Sequence, residues 1–208
     1  LESQLAHPEA TARWASIAEK GLRKLGAKGD LEQLIWFSSY SLVALGELDE
    51  AERRFAELSP AADGWESDVV AASRLGGLAE VALARAERDS DRDEWRRALA
   101  QLRTAIEAHW EYAPRMRPDL TLVATVGLVA HCRDIDRYQT PDSIDFANRL
   151  GRRLVDVVLA SSRDQSIMVD RPVLGTLAIG FSYWVLSTSA DLACGGELFA
   201  LGEGLASR

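Results

Sequence analysis

Residues Leu34–Pro60, LIWFSSYSLVALGELDEAERRFAELSP, read as a helix, a short charged turn and a second helix. Trp36, Phe37, Tyr40, Leu42 and Val43 are spread along the first apolar segment. Ala51, Phe55 and Leu58 recur at helical spacing along the second, leaving Glu50, Glu52, Arg53 and Arg54 for solvent. Gly46 suits the left-handed position that ends a helix, and Asp49 suits the start of the next. Such a pair cannot bury both apolar stripes by itself, so the sequence predicts neighbouring pairs.

The rest of the chain has the composition to supply them. Its 208 residues are 47% hydrophobic, enough for one sizeable core or one repeat array. Asp and Glu outnumber Lys and Arg by 32 to 24, which argues against direct nucleic-acid binding, since phosphate recognition needs a basic field. Cys132 and Cys194 have neither metal-ligand spacing nor a disulfide framework and read as buried thiols in a reducing compartment. No apolar run has the length and purity of a membrane helix, and no signal peptide is present. A cytoplasmic location is expected. The first residue is Leu, which suggests a piece of a longer chain.

Pro8 opens a first helix ending near Leu25, with Ala12, Ala15, Ile17, Ala18, Leu22 and Leu25 as its inner stripe. Gly26–Gly29 ends it, and Asp30 opens the next. Trp65–Arg88 reads as a long helix with Val69, Ala72, Leu75, Leu78, Ala79, Ala82 and Leu83 inward. A charged interruption at Glu87–Asp93 precedes Trp95–Trp110, carried by Leu99, Leu102, Ala105 and Ile106. Leu120–Cys132 is helical in length, and Thr140-Pro141-Asp142 starts a helix with Ala147, Leu150, Leu154, Val157 and Val158 on one face. Val173–Ser187 and Asp191–Leu205 form a last pair. The predicted fold is all-α, about nine helices, with a leading helix at 8–26 and hairpins at about 30–60, 65–110, 118–160 and 171–206. Ala51, Ala98, Ala147 and Ala193 recur at near-constant spacing in the second helices, and Ser39, Gly76, Gly127 and Gly175 are the matching small residues of the first.

Gly46-Glu47-Leu48-Asp49-Glu50-Ala51, with Phe55 four residues on, resembles the centre of a tetratricopeptide (TPR) repeat. The resemblance implies an α-solenoid with a right-handed superhelix. The later pairs depart from that pattern, and in the second the turn is enlarged by Glu87–Asp93. Arg171–Thr176 through Leu198–Leu201, and Leu78–Arg85, are also similar to the C-terminal regions of large actinobacterial transcriptional regulators of the antibiotic-regulatory-protein (SARP) type. That likeness implies a TPR-like sensor region whose DNA-binding and ATPase modules lie elsewhere in a longer chain.

Little in the sequence points to catalysis. His7, His109 and His131 lack a second ligand at helix-face spacing, and nucleophile-elbow, HExxH and phosphate-loop patterns are absent. No catalytic residue, metal or cofactor is expected. In TPR-like arrays the first helix of each pair lines a concave groove. Carrying the register along the chain places Trp36, Tyr40, Glu80, His131 and Tyr183 there, as contacts for a peptide, helix or small effector. The expected function is therefore a non-enzymatic binding domain within a bacterial transcriptional regulator, engaging a protein segment, an effector or other domains of its parent. The alternatives are a stand-alone TPR-like adaptor and a helical small-ligand-binding domain, and self-association is left open.

Overall fold

The computed structural model describes residues 8–58, 65–112, 130–131, 134–135, 137–138, 140–163, 178–182, 185–186 and 192–206, and these are helical or lie in the turns between helices. They fall into two compact units, 1–112 and 113–208. The fold is all-α, with helices packed as adjacent antiparallel pairs. Among the described residues no helix is long and apolar enough to cross a membrane.

The first unit holds α1 (Pro8–Leu25), α2 (Lys28–Ala44), α3 (Leu48–Glu57), α4 (Trp65–Asp89) and α5 (Arg92–Tyr112). Each helix packs on the next, and α2 also reaches α4 across α3. Helix α2 sits at the centre of this arrangement, and its composition shows why. Ile35, Trp36, Ser38, Ser39 and Ser41 are all buried although they point in several directions, because α1, α3 and α4 surround it. The serines admit close neighbours, and Ser38 and Ser39 satisfy their hydroxyls by donating to the Ile35 carbonyl at 3.2 and 2.6 Å. Phe55, Leu58 and Leu102 are fully enclosed, each worth roughly 1.5–3 kcal/mol of apolar burial.

Three of the inter-helix connections share one geometry. Gly26 and Gly46 have φ of 67° and 77°, and Ser90 has φ of 57°. At each, the residue's own N–H and the following N–H return to carbonyls of the helix just ended. Thus Gly46 N–H donates to Val43 O at 3.0 Å and Glu47 N–H to Leu42 O at 2.9 Å. This is the Schellman termination, and it repeats at Gly26–Ala27 and Ser90–Asp91. The residue after the left-handed position then begins the next helix, its carbonyl accepting from Leu31, Ala51 or Trp95. Helices α2 and α3 therefore start at Lys28 and Leu48, ahead of the predicted Asp30 and Asp49, which instead place their charge in the first turn. The predicted enlargement at Glu87–Asp93 is also corrected. The turn is as tight as the others, and the charges lie on the solvent side of continuous helices, with Asp91 Oδ1 accepting from Asp93 and Glu94 N–H at 3.0 Å. The second hairpin is longer because its helices are longer.

Serine is strained at a left-handed position, and glycine is not. Ser90→Gly should therefore stabilise the chain by about 0.5 kcal/mol after the extra unfolded-state entropy is counted, whereas Gly46→Ala should destabilise it by about 1 kcal/mol. Paired urea titrations of the two variants check this reversal of sign.

An ion network ties α3 to α1. Arg54 donates to Glu19 at 3.0 Å and to Glu50 at 2.9 Å, Arg53 bridges Glu50 and Glu57, and Arg23 bridges Glu19 and Glu57. On the other side Arg85 of α4 reaches Asp49 at 2.6 Å and Glu52 at 2.7 Å. Burial alone would raise the Glu19 pKa, but the hydrogen bond from Arg23 and the charge of Arg54 outweigh it and hold it low. Glu50 is drawn from its ordinary 4.5 to about 2, first by the hydrogen bond from Arg53; burial opposes this, and Arg54 adds to the lowering. Both carboxyls bind protons more weakly folded than unfolded. The Glu50 contribution is complete above pH 4.5 and is lost as pH falls from there toward 2, and the Glu19 contribution is lost in the same direction. The thermal midpoint should fall across that window, and less steeply in Glu50→Gln.

In the second unit α6 (Pro141–Arg163) packs on α7 (Leu192–Ala206). The predicted start at Thr140-Pro141 holds, with the Thr140 carbonyl accepting from Ser143 and Ile144 N–H. Phe146, Ala147, Leu150 and Val155 are buried on α6, and the side chains of Leu154, Val157 and Val158 lie outside the described residues. Residues 178–182 and 185–186 are helical, within the predicted 173–187 segment. Gly195 lets α7 approach closely, since a Cβ there would come within 2.7 Å of Leu186. Ala193, predicted as the small packing residue, is exposed, and Gly195 and Gly202 occupy the buried side. Cys194, predicted buried, is a half-buried thiol, and Cys132 lies outside the described residues.

Candidate binding site between α2, α3 and α4

The site grows from an aromatic ladder. On α2, Trp36 stands edge-on to Phe37 at 4.7 Å between centroids and to Tyr40 at 5.5 Å. Tyr40 in turn stands edge-on to Phe55 of α3 at 5.2 Å. These are the geometries aromatic quadrupoles favour, each worth about 0.5–1.5 kcal/mol beyond area. Phe55 ends the ladder against α4, where its ring fills the space beside Gly77. A Cβ at Gly77 would overlap that ring. This close approach joins successive hairpins, whereas Gly76, predicted as the small residue within its own hairpin, is buried beside it. The two glycines differ by 100° around the helix.

One helical turn beyond Gly77, Glu80 comes near Tyr40. Burial first, and then the Glu80 charge, push the Tyr40 phenol well above its ordinary pKa of 10. The ring is therefore a neutral hydroxyl at any physiological pH. Trp36 Nε1 and Tyr40 Oη are buried and make no well-formed hydrogen bond among the described residues, although the Trp36 N–H acts on the Tyr40 oxygen and offsets part of that rise, and Glu80 Oε1 is buried as well. Each such donor withheld from water costs about 1–3 kcal/mol. An indole N–H, a phenol O–H and a carboxylate from two helices, one inter-helix layer apart, form a set able to pair with a polar group in an aromatic setting.

Three of the five sequence-predicted groove residues thus come together. Their surfaces differ from an open groove. Trp36 is 4% exposed, and Tyr40 and Glu80 are half-buried. His131 belongs to the second unit, where it is 0% exposed and stacks at 4.6 Å on Phe146, over which Arg149 lies at 5.8 Å. Tyr183 lies outside the described residues.

No known protein family, curated protein or solved structure matches this chain. The site therefore has to be read from its own chemistry. Among the described residues no cluster of His, Cys, Asp or Glu could hold a metal ion.

A concavity elsewhere in this unit escaped the sequence reading. An open depression of about 400 Å³ at the start of α2 is lined by Arg23, Lys28, Leu31, Glu32, Ile35 and Glu57. Its signal is the spacing Lys28–Leu31–Glu32–Ile35, one face of a helix, which was hidden by the stronger aromatic pattern of the same helix. Arg23 and Glu57 are already paired to each other at 3.3 Å, so its walls are largely committed to holding α1 and α3 together.

Proposed function

We propose that the chain is a non-enzymatic, TPR-like helical-repeat module that binds a protein segment or small effector at the surface around Trp36, Tyr40 and Glu80. The observation carrying this reading is the α2–α4 contact. Two first helices of successive hairpins lie side by side, and the aromatic and acidic residues that meet there come from positions 44 residues apart, Trp36 and Glu80. Stable cores rarely retain such buried donors without a well-formed hydrogen bond, and binding sites do at a cost in stability. In a solenoid this layer would be the concave face. The likeness to SARP-type regulators supports placing the module in a cytoplasmic bacterial regulator, where binding would act by differential affinity for two states of the parent chain. The adaptor reading has the same site physics without that context.

The site is tested by separating binding from stability. Tyr40→Phe removes a buried hydroxyl that makes no well-formed hydrogen bond among the described residues, so it should leave stability unchanged or raise it by about 1 kcal/mol. The same variant, and Glu80→Gln, should weaken ligands found by thermal-shift screening of effectors and peptides by about tenfold. A Tyr40→Phe protein that is destabilised and binds normally would mean the cluster is core alone.

A further inference from the structure

The outward side of α1 carries an apolar stripe that no other described helix of the first unit covers. At 100° per residue, Ala10, Trp14, Ile17, Ala18, Gly21 and Leu25 fall within an arc of about 100°. All six are exposed, with Trp14, Ile17 and Leu25 at 67%, 54% and 80%. Isolated exposed apolar residues are ordinary, whereas an aligned run over three helical turns is the pattern of a surface that packs. The opposite side of α1, with buried Ala15 and half-buried Ala12, Glu19 and Leu22, already serves α2 and α3. Of the predicted inner stripe, then, Ile17, Ala18 and Leu25 face outward, a correction that turns half of that stripe into a surface.

One edge of this stripe is basic. Arg13, Lys20 and Lys24 project along it, and none pairs with a described residue, whereas Glu19 and Arg23 of the same helix are held in the network with α3. We propose that this face docks an amphipathic helix from a separate polypeptide, one whose apolar stripe is bordered by Asp and Glu. Shape supports a helix, because Ala18 and Gly21 leave a shallow floor between Trp14, Ile17 and Leu25. A Cβ added at Gly21 meets nothing within 4 Å. Charge supports an acidic partner. Two copies of α1 packed face to face and antiparallel would bring their cations together, and a chain of net charge −8 is repelled by an anionic bilayer. One helix face lies below the area of stable complexes, so the affinity belongs to the transient class, with Kd of about 10 μM.

The test uses the whole chain and two labelled peptides of about 18 residues with the same leucine stripe, one bordered by Glu and the other by Lys. Fluorescence anisotropy should show the Glu-bordered peptide binding at about 10 μM, about tenfold more weakly in 0.3 M salt, and the Lys-bordered one at least about tenfold more weakly. Trp14→Asp and Ile17→Asp, folded by circular dichroism because those side chains are exposed, should abolish binding. Tyr40→Phe should leave it unchanged, which keeps this face distinct from the α2–α4 site. Equal binding of both peptides, or full binding by the two α1 variants, overturns the proposal. Retention on vesicles of anionic phospholipid without peptide binding overturns it in favour of a membrane surface. Dimerisation lost in Ile17→Asp, without peptide binding, overturns it in favour of a second copy.

Discussion

Gly77→Ala is expected to destabilise the folded chain by about 2 kcal/mol or more, an unusual cost for a substitution that favours helix. Alanine in a helix interior is intrinsically better than glycine by about 1 kcal/mol. Here the added methyl would overlap the Phe55 ring, which is itself fully buried and edge-packed on Tyr40, so it cannot swing aside. Overpacking of this kind typically costs about 1–3 kcal/mol after relaxation, and the rigid aromatic neighbour places this case at the upper end. Phe55→Ala alone should cost about 3–5 kcal/mol through the cavity it leaves. The decisive measurement is the double variant. With the ring gone, Gly77→Ala should become neutral or stabilising, because only the helix preference remains. Urea titrations of the four proteins give the coupling directly, and a Gly77→Ala cost that persists in the Phe55→Ala background would place its cause elsewhere.

Trp95→Ala should be the other severe lesion, at about 3–5 kcal/mol. Trp95 opens the inner face of α5, followed by Ala98, Leu99, Leu102, Ala105 and Ile106, all buried against α4 and its neighbours. It also sits at the turn, its N–H donating to the Asp91 carbonyl at 3.0 Å. That backbone bond survives in alanine, so the loss is of core volume next to the hairpin's closed end. The urea midpoint should drop with little change in slope, whereas Trp95→Phe should lose much less.

How much of this was legible beforehand differs residue by residue. Gly46 and Phe55 could be read because each is decided locally: a left-handed cap wants glycine, and an aromatic at helical spacing wants a core. The inner face of α5 was equally plain, since its apolar residues form one stripe. Helix α1 has two stripes, and periodicity alone cannot say which one the fold uses. Periodicity alone therefore places Ile17 and Leu25 inward, whereas both face outward. Gly77 does not stand out in the sequence, because its need for glycine depends on the position of Phe55 on another helix. The Glu87–Asp93 run looked like a loop because charge clusters often are, yet long helices also carry such runs on their solvent face. Within the candidate site, the meeting of Trp36 and Tyr40 with Glu80 followed from register, whereas the depth of their burial depended on α3 and Gly77. His131 was read as a groove position from register alone, and its packing on Phe146 depends on a partner fifteen residues away.

The recurring two-residue turn has a further consequence for how such a chain can lengthen. Because each turn launches the next helix in a fixed direction from the last, a residue inserted into a helix rotates everything after it by about 100°. Growth that keeps the apolar stripe pointing home must then come in nearly whole turns. Helix α5, at 21 residues, exceeds α3, at 10, by eleven, which is within about 20° of three complete turns. The second helices of the two hairpins thus stay in phase despite their different lengths, whereas α4, at 25 residues, exceeds α2, at 17, by eight, about 80° from a whole number of turns.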